Sequence, residues 1–140
     1  MAMLSPNFSL NEATFSSTAR RLGINNKPDA YIVANMTYAA KYLEIVRDKI
    51  LDTPLRITSW YRSPELNRAV GGAPTGHPSG FCVDFIPQKD WTIEKAYLAV
   101  GDYNRKSVDF FFDQLINEYG EWIHISFDYS RNRNQAFRKI

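Results

Sequence analysis

The sequence predicts an α+β domain, with helices first and then a small, mostly antiparallel sheet with helices packed on one side. Three observations carry this. Val33, Met36, Ala40, Leu43 and Ile50 recur at three-, four- and seven-residue steps, the spacing of one buried helical stripe. From Leu55 onward, short runs such as FCVDFI and WIHISF alternate apolar and polar residues, the period of half-buried strands. The last two such runs lie close enough in the chain for an antiparallel hairpin. A length of 140 residues suits one domain, residues 1–140.

The elements follow in order. Ser9 and Glu12 fit a capping box, which predicts a first helix from Leu10 to Arg20 or Arg21, stopped at Gly23. Pro28 and Asp29 open a second helix, Ala30 to Ile50. Lys41, Glu44, Arg47 and Asp48 fall mostly off its apolar stripe and read as a solvated face. Asp52-Thr-Pro54 ends it. Leu55 to Trp60 alternates as a strand, and Pro64 opens a short helix to Val70, closed by Gly71-Gly72. Ala73 to Gly80 is irregular. Phe81 to Ile86 is the second strand, terminated by Pro87. Thr92 caps a third main helix that ends near Arg105. Phe110 to Ile116 is a third strand, Glu118 to Glu121 a turn, and Trp122 to Phe127 the fourth strand. The tail, RNRNQAFRK, reads as solvated.

Composition narrows the function classes. The net charge is +2 with signs mixed along the chain, too mild to argue for nucleic acid. One cysteine, Cys82, rules out an internal disulfide. No apolar run approaches the ~20 residues of a membrane helix. The N-terminus lacks a basic start followed by an apolar core, so a signal peptide is not expected and synthesis in the cytoplasm is. A substrate beyond the membrane would then need another factor to deliver the protein.

The stretch Ser59 to Asp84 holds most of the chemistry. Alternate strand residues share a face, so Phe81, Val83 and Phe85 point to a core while Cys82 and Asp84 point the other way. Ile123, Ile125 and Phe127 likewise leave Trp122, His124 and Ser126 opposite. His77 lies on the loop entering the Asp84 strand, and Gly80 lets that loop bend close. His77, Asp84 and His124, including the chain's only two histidines, can therefore converge. Two His and one carboxylate with an open fourth position form a catalytic zinc arrangement. Glu121, three residues before His124, is placed to act as general base and then acid. Arg62, just past the first strand, is placed to hold a carboxylate or an oxyanion. Spacing alone leaves alternatives open. The histidines fit structural hydrogen bonds, Asp84 fits a salt bridge to Arg62, and Glu121 fits a solvated turn. Cys82 fits a small core residue or a thiolate ligand. Trp60, Tyr61 and Trp122 fit either a substrate cleft or the core edge.

The blocks SWYRSPELNRAVGG (Ser59–Gly72), HPSGFCVD (His77–Asp84) and EWIH (Glu121–His124) resemble the zinc D-alanyl-D-alanine metallopeptidases, a family sharing its zinc fold with hedgehog proteins. Three separated blocks agree in order and spacing, over most of the chain. The resemblance implies His77, Asp84 and His124 as Zn2+ ligands, Glu121 as catalytic acid/base and Arg62 as substrate or transition-state clamp. Thr75 stands where the family usually has Ser and keeps a hydroxyl for substrate. Cys82 stands where Ala is usual. Tyr119 stands where some members carry another His and is a candidate oxyanion donor. The implied activity is hydrolysis of an amide bond in bacterial peptidoglycan peptide stems, as a D,D-carboxypeptidase or endopeptidase. The expected chain is a monomeric, phage-type lysis or host-penetration enzyme that binds no nucleic acid and does not insert in a membrane. The alternative is an inactive wall-binding or virion-associated module on the same scaffold.

Overall fold

The computed structural model describes residues 2–140. A small hairpin comes first, β1 (Met3–Ser5) with β2 (Phe8–Ser9). Glu44 ties it down by accepting hydrogen bonds from Ser5 Oγ at 2.6 Å and the Asn7 N–H at 2.7 Å. That carboxylate was expected on a solvated face; it instead anchors the N-terminus to the long helix.

The capping box forms as the sequence predicts, with Ser9 accepting from the Glu12 N–H and Glu12 accepting from the Ser9 N–H. The expected single helix, however, is two: α1 (Leu10–Thr14) and α2 (Ser17–Leu22). Phe15 is extended, and Ser16 starts the second helix by accepting from the Ala19 N–H. A local cap thus competes with helix continuation and wins. Gly23, in the left-handed region, ends α2. The long helix α3 runs Ala30–Ile45 under an Asp29 cap, then continues as a π-helical turn, Val46–Ile50.

The main sheet has five strands: β3 (Leu55–Ser59), β4 (Cys82–Pro87), β5 (Gln114–Glu118), β6 (Trp122–Ser126) and β7 (Gln135–Lys139). Their spatial order is β3-β4-β6-β5-β7, antiparallel except for the parallel pair β5/β7. Two predicted boundaries move. The third strand begins at Gln114 rather than Phe110, with Phe110 and Phe112 buried ahead of it in irregular chain. The tail expected in solvent supplies β7. All five of its side chains are exposed, so no apolar alternation announces it. Its backbone covers the edge that β5 would otherwise present.

Val83, Phe85, Leu115, Ile123, Ile125 and Phe127 make the core face of the sheet, each fully buried. Met36, Ala40 and Leu43 of α3 belong to the same core, as do Ala96, Tyr97 and Val100 of α5 (Ile93–Lys106). The other face of the sheet is left for chemistry. A single 3₁₀ turn, His77–Ser79, packs against β4, and α4 (Pro64–Ala69), capped by Ser63, packs against that turn. Gly80 closes that turn at φ 86, where an added Cβ would lie 2.9 Å from Met36 Cγ and 3.1 Å from Ile32 O. No side chain fits there, and the backbone is pulled directly against α3.

Candidate metal centre and cleft

The β4/β6 register places Asp84 directly opposite His124. His77 reaches the same point from the 3₁₀ turn. Its Nδ1–H donates to the Trp60 carbonyl at 2.6 Å, because a carbonyl can only accept. The ring is thereby fixed with Nε2 facing Asp84 Oδ2 at 3.3 Å. His124 Nδ1 lies 2.8 Å from the other oxygen, Asp84 Oδ1. One donor atom from each of the three residues lies within 4.8 Å of the others.

The electrostatics match a buried cluster. Burial alone would raise the Asp84 carboxyl, but the bonds from His124 and His77 outweigh it and hold the group well below the usual carboxylate range. Burial alone would lower the His124 imidazole; the Asp84 bond, helped by Cys82, pushes it up to about 10. Two imidazoles and one carboxylate, drawn together and nearly enclosed, fit a zinc ion with a position left for substrate or solvent. The backbone carbonyl on His77 is the kind of outer support that orients a metal-binding imidazole.

The cluster forms the floor of a cleft of about 1060 Å³. Arg62, Thr75, Tyr119 and Trp122 also line it. Arg62 is half-buried, and burial lowers its guanidinium pKa against the opposing effect of Asp84 and Cys82. Arg62 Nε and Trp122 Nε1 are both buried without a hydrogen-bond partner among the described residues. Arg62 does not pair with Asp84 in the way the salt-bridge alternative required; the carboxylate's partners are the two histidines.

Three expected site residues lie elsewhere. Trp60 is 1% exposed, packs edge-on against Phe8 and donates its indole N–H to the Gly80 carbonyl at 2.9 Å, so it supports the His77 turn from the core. Tyr61 is also buried in the core, and its backbone N–H donates to Ala13 O. Glu121 is exposed and outside the cleft lining. The register pairs Glu118 with Trp122, which leaves Tyr119, Gly120 and Glu121 in the connection.

The cleft also holds residues that the sequence reading passed over. Gln114, Ile116 and Glu118 of β5 line it, as do Asp113, Arg131, Arg133 and Lys139. Asp113 is 4% exposed and held by Arg133 through Nε at 2.7 Å and Nη2 at 2.9 Å. The signal for Glu118 was present in the alternation Gln114, Ile116, Glu118. It is hidden once the turn is taken to begin at 118.

No curated protein sequence matches the chain. A family model described as Peptidase M15 matches residues 6–126, which span α1 through β6 and include all three donor residues and the cleft's Arg62. On that match, which covers most of the chain, the chain belongs to the M15 peptidase family.

Proposed function

We propose that this peptidase is a zinc-dependent peptidoglycan hydrolase that cuts an amide bond in cell-wall peptide stems, as a D,D-carboxypeptidase or an endopeptidase. The observation that carries the reading is the His77–Asp84–His124 donor set at the floor of an open cleft, in a chain of a peptidase family. When bound there, zinc supplies a Lewis acid that polarises a carbonyl and makes water a usable nucleophile at neutral pH. The chain's own side chains do the rest. His77, held by the Trp60 carbonyl, and His124, opposite Asp84, set the geometry of the site. Arg62 offers a guanidinium to a substrate carboxylate or to the carbonyl oxygen as it gains charge. Thr75, Tyr119 and Trp122 contact the peptide along the cleft. Hydrolysis also requires a proton carrier beside the scissile bond.

No helix among the described residues is long and apolar enough to cross a membrane. On the proposed reading, the chain reaches the wall after release by another factor or as part of a virion. The test is digestion of purified peptidoglycan with and without a chelator, with mass analysis of the fragments. Loss of a terminal D-alanine marks a carboxypeptidase, and opened cross-links mark an endopeptidase. A chain that retains zinc and binds the wall but releases nothing is the inactive module instead.

A further inference from the structure

Hydrolysis at this centre needs a proton carrier facing the cleft, and Glu121, the carboxylate expected in that role, is exposed and outside the lining. We propose that Glu118, the last residue of β5, is the proton carrier; this rests on the peptidase reading above. Glu118 pairs across the sheet with Trp122, Ile116 with His124, and Gln114 with Ser126. Residues paired in this way point to one face, and all six line the cleft. Glu118 is therefore the diagonal neighbour of His124, a pair typically about 7–8 Å apart with the Cβ atoms somewhat closer, within reach of a glutamate.

Its surroundings suit the role. Glu118 is 8% exposed, an unusual place for a glutamate that makes no side-chain hydrogen bond among the described residues. Its counter-ion is Lys139 of β7, Nζ to Oε1 at 3.6 Å, a separation that orients the carboxylate without occupying both oxygens. The hairpin connection is also braced. Asn117 Oδ1 accepts from the Gly120 N–H at 2.8 Å, and the Glu121 N–H donates back to the Glu118 carbonyl at 2.9 Å. Tyr119 and Gly120 both take positive φ. This tight connection carries Glu121 out into solvent while Glu118 stays in the ladder.

The step balances as an amide hydrolysis. Glu118 takes one proton from water as the water oxygen bonds to the carbonyl carbon. The C–N bond then breaks, and the proton passes from Glu118 to the departing nitrogen, leaving a carboxylic acid and an amine.

The test compares Glu118→Gln with Glu121→Gln in the zinc-loaded full chain. Three quantities are read: zinc stoichiometry, co-sedimentation with purified wall, and fragment release. Glu118→Gln is expected to keep its zinc and its wall binding while releasing fragments about 10²–10⁴-fold more slowly than Glu121→Gln, the range general acid–base catalysis supplies. Added formate is expected to restore turnover to Glu118→Ala and not to His124→Ala. The proposal is overturned if Glu118→Gln turns over as fast as Glu121→Gln, or if it loses zinc in step with activity, since the side chain would then be a ligand or a brace. If the wild-type chain holds zinc and never cuts the wall, the peptidase reading fails together with this role. If the wild type cuts and Glu121→Gln is the slow variant, only the Glu118 assignment fails.

Discussion

His77 and His124 meet Asp84 from different directions, and the difference decides what each substitution does. His77 is fixed by a backbone carbonyl and contributes one free nitrogen; His124 depends on Asp84 for its orientation. His77→Ala, Asp84→Ala and His124→Ala are each expected to lose stoichiometric zinc on gel filtration, and retention of a full equivalent by any of them would remove that residue from the donor set. Arg62→Ala is expected to fold and keep zinc, with turnover lowered about 10²–10³-fold, as for loss of one charge-stabilising donor in other hydrolases. Near-normal rates would leave Arg62 with a purely structural part.

Two of these residues, His124 and Asp84, set a pH dependence. In the metal-free chain the raised His124 pKa contributes stability that is full below its ordinary value of 6.5 and is lost as pH climbs to about 10. The depressed Asp84 pKa contributes stability present above its ordinary value of 3.8 and lost as pH falls through the folded value. Zinc needs the proton gone, so its affinity runs the other way and rises with pH. The Tm gap between zinc-loaded and metal-free protein is expected to widen from about pH 5.5 to about pH 8.5. A gap that narrows over that range would mean that proton and metal do not compete here.

At the scale of elements, β7 is the least expected piece. It lies in parallel on β5, and Lys139, near its end, faces Glu118. Removing Gln135–Ile140 is expected to cost about 2–4 kcal/mol in urea unfolding, from several backbone hydrogen bonds worth about 1 kcal/mol net each. It also bares the β5 edge to association with a second chain. An unchanged urea midpoint with no self-association would show that the strand is dispensable. The elements α3, β4 and β6 were legible from their apolar spacing, and α5 from its Thr92 cap. The first helix and the end of β5 were not. Ser16 is as good a cap as Ser9, and no local rule states which residue starts a hairpin connection.

Across the whole molecule, the cluster joins segments that are far apart in the chain: the turn at His77, β4 and the late strand β6. An ion bound among them acts on the native state alone, so it stabilises by mass action. Chelation is expected to lower Tm by several degrees with no change in the unfolded baseline, and readdition of zinc to restore it. A Tm indifferent to chelator would mean that no ion bridges these segments.

By itself the sequence determined the α+β class and the core face of the sheet, and it singled out His77, Asp84 and His124 as candidate donors, because periodicity and residue type are properties of short stretches. Only the tertiary structure decided that Trp60 and Tyr61 belong to the core, that the tail is a strand, and that Glu118 faces the cleft while Glu121 does not. Those outcomes depend on strand register and on which edge lacks a partner, and both are set by residues far away in the chain.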